Sequence, residues 1–287
     1  MISVPLACTV RGCGQPLARE GQQFVCRRGH AYDIARSGYL NLLQPQDRRS
    51  REAGDAKDVV QARAAAIAAG VGHALFTRVA EIAAPWLTGD AVVVDLGSGT
   101  GDALHAIASR GGMTGIGIDL SPAAADLAAK RFPTLTWIVA NADRRLPLVD
   151  ESVNLVLSLH GRRNAGDCAR VLRADGRLIT AVPAPDDLME IRMAIYGRAD
   201  ERSRAPGVLA EFETAFSLED RLIVRDRLTL SPEALRALLR ITYRGARTSA
   251  AARVAALPAL EVTIASELFV FRLRRDFPAD NQIARPG

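Results

Sequence analysis

The chain has 287 residues, 48% of them hydrophobic and 24% charged, which is enough for one large α/β domain with a small appendage. Its formal net charge of +5 comes almost wholly from arginine, because Lys57 and Lys130 are the only lysines. No apolar run approaches the roughly 20 residues of a membrane span, and Met1 to Pro16 lacks the basic-then-apolar order of a signal peptide, so no membrane role and a cytoplasmic location are expected. A basic balance suits a polyanionic partner, and GC-rich codon usage would give the same excess of arginine.

Residues 1–40 are short on apolar periodicity and hold Cys8, Cys13, Cys26 and His30 in the pattern C-x4-C, a spacer, then C-x3-H. Each pair fits one knuckle, and a structural zinc ion takes four such ligands in a closed tetrahedron. Gly12, Gly14 and Gly29 free the backbone beside these ligands. A segment this short cannot bury a core without a staple, and a disulfide framework does not suit a chain without an export signal. Cys168, in a helical stretch, reads as a small buried hydrophobe.

Residues 41–72 read as a linker and a helix. Gly38 to Leu43 leads into a polar string with Pro45, Gly54 and the basic cluster Arg48, Arg49 and Arg51. Alanine-rich spacing with Arg63 inside it predicts a helix over Asp58 to Ala69, and a second helix runs from His73 to Leu87. The third unit, 73–287, turns on Val92-Val93-Val94-Asp95-Leu96-Gly97-Ser98-Gly99-Thr100-Gly101. Three valines suit a strand covered on both faces, and the glycines let backbone approach a ligand at the N-terminus of the helix that starts at Asp102. A second strand, Gly115 to Leu120, ends in Asp119, at the spacing of a ribose-binding acid. Turn and acid together point to a nucleotide-like cofactor, either a dinucleotide or S-adenosylmethionine (SAM). The G-x-G-x-G spacing resembles the first motif of class I SAM-dependent methyltransferases.

Strands follow at Thr136 to Ala140, Asn154 to Leu159 and Gly176 to Val182, with a helix from Ala165 to Arg173. Residues 197–220 look polar and irregular. A strand near Leu222 to Leu230, a helix from Pro232 to Leu239 and a last strand from Leu260 to Leu273 close the chain. The fold class is α/β, a Rossmann-like, mostly parallel sheet of seven strands with a small zinc-ribbon-like module in front.

Cys13-Gly-Gln-Pro-Leu17, the Cys26 and His30 pair, Gly38 to Leu43, Arg49-Ser-Arg51, Gly54-Asp55 and Gln61-Ala-Arg63 stand in one order. That order resembles the zinc-containing 23S rRNA (guanine-N1) methyltransferases, a family of housekeeping enzymes and relatives conferring resistance to macrolides of the tylosin type. The resemblance implies structural zinc on Cys8, Cys13, Cys26 and His30 in an RNA-reading module, a homodimer with a basic cleft, and 23S rRNA as partner. It implies SAM contacts at Asp95, Gly97, Gly99, Thr100, Gly101, Asp119, Leu120, Asn141, Ala142, Asp143 and Ser158, with Gly72 and Asp187 at two further cofactor-contact positions, and places the adenine ring near Asn141 to Leu148. It also implies that Pro183 to Glu190 leads back over the cofactor and that the last strand runs antiparallel.

Four departures mark this chain. Its first knuckle is wider than the family's C-x2-C. The place of a cofactor-contacting tyrosine holds Gly72, followed by His73, and a histidine before Leu-Met-Glu is replaced by Asp187. Where the family has an aromatic-Ala-Pro segment beside the reactive methyl group, the chain reads Leu159-His160-Gly161-Arg162-Arg163-Asn164. His160 is the candidate proton acceptor and Arg162 or Arg163 the candidate group for charge on the guanine oxygen or for a phosphate. Arg27 and Arg28 with the 48–51 cluster form a candidate phosphate track. Two other readings stay open: a SAM-dependent enzyme acting on a small molecule, and a non-catalytic RNA-binding relative.

Overall fold

The computed structural model describes residues 4–44, 54–199, 201, 203–242, 253 and 256–274. Arg48, Arg49 and Arg51 lie outside the described residues.

The front segment forms a three-stranded antiparallel sheet of β1 (Leu17–Glu20), β2 (Gln23–Cys26) and β3 (Ala31–Asp33). A two-residue strand, β4 (Leu40–Asn41), then leaves this module and pairs in parallel with a strand of the main sheet. Helices α1 (Lys57–Ala68) and α2 (His73–Ala83) follow, with a 3-10 turn over Ala84–Trp86. The main body then alternates β5 (Val92–Leu96), α3 (Asp102–Ala108), β6 (Thr114–Asp119), α4 (Pro122–Arg131), β7 (Thr136–Val139), β8 (Val153–Leu159), α5 (Ala165–Val171) and β9 (Leu172–Pro183). It ends in α6 (Met189–Tyr196), α7 (Ala205–Phe212), β10 (Phe216–Leu230), α8 (Pro232–Thr242) and β11 (Leu260–Leu273).

Local chemistry explains these elements. All five residues of β5 are buried, as a β-branched run between two helical layers requires. Helix α4 starts where the Ser121 hydroxyl accepts the Ala124 N–H, has proline in its first turn and ends on Lys130 and Arg131, which suits the helix dipole at both ends. Its buried alanines allow close packing on the sheet.

The sheet has eight strands in the order β10-β11-β9-β8-β5-β6-β7-β4, one more than the expected seven, because β4 covers the edge of β7. Strand β11 runs antiparallel to both β9 and β10, as expected. The polar stretch 197–220 is not irregular throughout: it contains α7 and the start of the long β10, whose outward residues disguise a strand. From β5 the chain steps to β6 and β7 on one side, and from β8 to β9 on the other, so the topological switch falls between β5 and β8. Ligands of open α/β sheets bind at the carboxyl ends of the strands there.

Leu6, Cys8, Leu17, Cys26, Tyr32, Leu40 and Leu42 of the front segment belong to the same buried cluster as Val94, Leu96, Ile118 and Ile138. Residues Pro5 to Ala7 also zip onto Pro147 to Val149: the Ala7 N–H donates to Pro147 O at 3.0 Å, and the Val149 N–H to Pro5 O at 2.9 Å. The zinc-ribbon-like segment and the main body thus share one core.

Candidate functional site

Cys8 leaves the short pairing with Pro147 to Val149, Cys13 follows the turn over Val10 to Gly12, and Cys26 ends β2. His30 returns after a turn in which Gly29 adopts φ +80°. The three Sγ atoms and His30 Nδ1 all lie within 4.8 Å of one another. Cys13 Sγ and Cys26 Sγ are 3.8 Å apart, and His30 Nδ1 is 3.4 Å from both Cys8 Sγ and Cys26 Sγ. A tetrahedron with Zn–S of about 2.3 Å and Zn–N of about 2.0 Å has S–S edges of about 3.8 Å and S–N edges of about 3.5 Å. Donor set and spacing fit zinc and are too open for a disulfide. The Tyr32 hydroxyl, 3.2 Å from Cys8 Sγ, accepts the Thr9 N–H at 3.2 Å, and Thr9 Oγ1 donates to Leu42 O at 2.7 Å. This second layer runs from a metal ligand to the residue after β4.

The glycine turn sits at the end of β5. Gly97, Gly99 and Gly101 all adopt positive φ, and a Cβ at Gly101 would stand 2.4 Å from the Trp137 ring. Asp119, at the end of β6, shapes the turn from below: Oδ2 accepts the Gly99 N–H and Oδ1 the Ser121 N–H, each at 2.8 Å. Asp95 is 3% exposed, and among the described residues no hydrogen bond reaches its carboxylate. Burial pushes its carboxyl up to about 7, and the nearby Asp119 charge adds to this. Burial raises Asp119 as well. Buried Asp95, without a partner, and half-buried Asp119 form a place for a ligand with positive charge and N–H donors. SAM carries both, in its sulfonium and α-ammonium groups, so the residues present fit it. Thr100 is buried, its hydroxyl donating to Asp102, and Leu120 is held against Gly54, whose Cβ position lies 2.8 Å from Leu120 C.

Beyond β7, Asn141 Oδ1 accepts the Asp143 N–H at 3.0 Å, closing a turn around Ala142. The loop beyond it is clamped by Arg170, which donates to Leu146 O at 3.0 Å and Leu148 O at 2.9 Å, and by Asp167, which accepts the Leu146 N–H. Across the switch point, Gly161 allows close approach: a Cβ there would lie 2.6 Å from Leu96 O. The Ser158 hydroxyl donates to Arg162 O at 3.0 Å and fixes this turn.

His160 adopts φ +56° at the end of β8, and its Nε2 lies 3.0 Å from Ser266 Oγ on β11. Its ring is open to the cleft yet has protein on most sides, and this surrounding lowers its pKa to about 4, with the Arg204 and Arg63 charges adding. The imidazole is therefore neutral at pH 7, with a ring-nitrogen lone pair that can accept a hydrogen bond and a proton affinity below that of an ordinary histidine. Arg162 reaches over to Asp143, 3.5 Å away, and Arg163 pairs with Glu211 at 2.8 Å. Asp187 accepts the Ala265 N–H at 2.9 Å, next to the Ser266 that holds His160. Burial lifts Asp187 to about 6.

Gly72 caps α2 with φ +89°, its nearest neighbour being the Phe76 ring, and His73 lines a groove with Leu222 to Asp226 of β10. Sequence reasoning missed Tyr32, Ser266 and Arg204. Their partners are distant in the chain, and no local pattern marks them.

Comparison with known proteins matches two family models, a "Methyltransferase domain" over residues 93–176 and "RlmA, N-terminal", a zinc-ribbon family, over residues 7–51. A 23S rRNA (guanine(748)-N(1))-methyltransferase of Streptomyces fradiae is 32% identical over 268 residues, covering 91% of this chain and 94% of that protein. A Bacillus subtilis protein, provisionally named a 23S rRNA (guanine-N(1)-)-methyltransferase, is 32% identical over 78% of this chain and 81% of its own length. A Micromonospora griseorubida protein with a similarly provisional name is 34% identical over 65% of this chain and 68% of its own. The donor cleft, the four-ligand cluster and these relatives agree: the chain is a SAM-dependent methyltransferase and belongs to the zinc-ribbon 23S rRNA (guanine-N1)-methyltransferase family.

Proposed function

We propose that this chain methylates N1 of a guanine in a hairpin loop of 23S rRNA. The observation that carries the reading is the Cys8, Cys13, Cys26 and His30 cluster joined through one core to a SAM cleft, in a chain similar over nearly its whole length to a relative named for that reaction. Bound SAM supplies an activated methyl group. The chain's own task is positioning, because in-line approach at about 3 Å accounts for much of the rate of such a transfer.

Guanine N1 carries a proton at neutral pH, so the site must also take that proton or stabilise the charge left behind. Neutral His160 is the proposed acceptor, held through Ser266 by Nε2 so that Nδ1 is the nitrogen left for the substrate. Arg162, on the rim beside Asp143, is the proposed partner for the guanine oxygen or a phosphate. The proposed donor contacts are Asp95, Asp119, the glycine turn and the Asn141 to Asp143 loop. The Watson–Crick edge of a paired guanine is inaccessible, so a loop or an extruded base is the substrate. Exposed Arg27 contributes to its phosphate contacts. The same reading gives a homodimer acting in the cytoplasm.

The test is transfer from labelled SAM to unmodified 23S rRNA, followed by reverse transcription. A stop at a single guanine in a hairpin loop is expected, because N1 methylation blocks pairing. SAM binding without RNA labelling would move the acceptor to a small molecule, and RNA binding without SAM binding would make the chain a non-catalytic relative.

A further inference from the structure

Helix α1 carries a charge into the cleft that the chemistry above leaves unused. Gly54 has φ +75°, and a Cβ there would stand 2.6 Å from Ser121 N. This contact presses the chain before α1 onto the end of β6. The Ser121 hydroxyl donates to Asp55 O at 2.5 Å, and the Asp55 carboxylate accepts from Arg63 Nη2 at 2.9 Å. The strap so formed lays Arg63 across the glycine turn: a Cβ at Gly99 would lie 3.2 Å from Arg63 Cδ and 3.5 Å from its Nε. The Arg63 side chain is 35% exposed. Among the described residues its only hydrogen bond is the one to Asp55, so Nε and Nη1 are left for a ligand. Its charge is felt by both Asp119 and His160.

Asp95, buried, and Asp119, half-buried, line this part of the cleft and repel an anion, so an anionic ligand group needs a cation opposite them. We infer that Arg63 binds the carboxylate of the methionine part of SAM, and that the strap from Gly54 to Asp55 holds it there. This rests on reading the glycine turn as the SAM cleft. A guanidinium pairs with a carboxylate through two parallel N–H donors, Nε with Nη2 or Nη1 with Nη2; Asp55 takes one Nη2 hydrogen, and the second, with the neighbouring nitrogen, leaves one such edge for the ligand. Arg63 therefore selects ligands that keep the amino-acid carboxylate.

The test compares calorimetric binding of SAM with that of decarboxylated SAM, which lacks that one group. Wild-type protein is expected to favour SAM about 10- to 100-fold, the range of a charged hydrogen bond. Arg63→Gln is expected to erase the preference by weakening SAM alone, and Arg63→Lys to restore part of it. Asp55→Asn, which removes the charge from the tie while keeping Arg63, is expected to reduce the preference less than Arg63→Gln does. Equal weakening of both ligands in Arg63→Gln would show a structural strap and overturn the inference. So would a wild-type protein that does not discriminate, or an Arg63→Gln protein that keeps its SAM preference and loses RNA affinity. Failure of wild-type protein to bind SAM at all would instead remove the cleft reading beneath it.

Discussion

His160 is the proposed proton acceptor and Asp95 a proposed donor contact, and the surroundings of each set its proton affinity. A histidine with positive φ is strained unless its surroundings hold it, and here the His160 N–H donates to Ala181 O while Ser266 holds the ring. Asparagine tolerates the same backbone, so His160→Asn removes the base without unfolding the turn. It is expected to lower kcat about 100-fold or more with KM for RNA little changed, measured at saturating SAM. An unchanged kcat would remove His160 from catalysis. Asp95 titrates near neutrality because it is buried beside Asp119. An acid whose folded value lies above its unfolded 3.8 holds protons more tightly when folded. Its share of the unliganded protein's stability therefore grows as pH falls from about 7 towards 4. A cationic ligand selects the ionised form, so SAM binding is expected to weaken below pH 7 and to release a proton near pH 6. Calorimetry in buffers of different ionisation enthalpy reads that proton directly, and heats independent of buffer would contradict the assignment.

Among the elements, those that speak locally were legible and those that depend on a distant partner were not. Strand β5 shows itself in three consecutive valines, and β11 in a long apolar alternation whose bounds, Leu260 to Leu273, match the sequence reading. Strand β4 is two residues long and owes its existence to Ile138 and Val139, nearly a hundred residues on, so it read as linker. Helix α7 hides behind Pro206 and a polar flank, although Val208 and Phe212 bury one face. At the metal centre the ligands were visible from spacing alone, whereas Tyr32 was not, because tyrosine in a short strand has many uses. Its hydroxyl links Cys8 to Thr9. Outer-layer hydrogen bonds typically tune metal affinity 10- to 100-fold. Tyr32→Phe is expected to weaken zinc binding by at least about tenfold in competition with a chelating dye, and wild-type affinity would show that the hydroxyl is spare.

At the scale of the whole molecule, the zinc knuckles and the donor cleft form a single body. Cys8 follows the residues zipped onto Pro147 and Val149, and those residues adjoin the loop clamped by Arg170 beside the proposed adenine position. Tyr32 and Thr9 lead to Leu42, and β4 seals the sheet edge at β7. Two routes, the 147–149 pairing and the β4–β7 edge, join the metal cluster to the cleft, so metal loss is expected to be felt there. Because structural zinc contributes folding free energy, its removal should act on the main core as well as on the knuckles. The most direct measurement is calorimetric binding of SAM before and after zinc is extracted, alongside thermal unfolding. One cooperative transition is expected in the zinc-loaded protein, and on extraction a lower transition together with at least about tenfold weaker SAM binding. Unchanged SAM affinity and an unchanged main transition without zinc would contradict this coupling, and would make the ribbon an independent appendage.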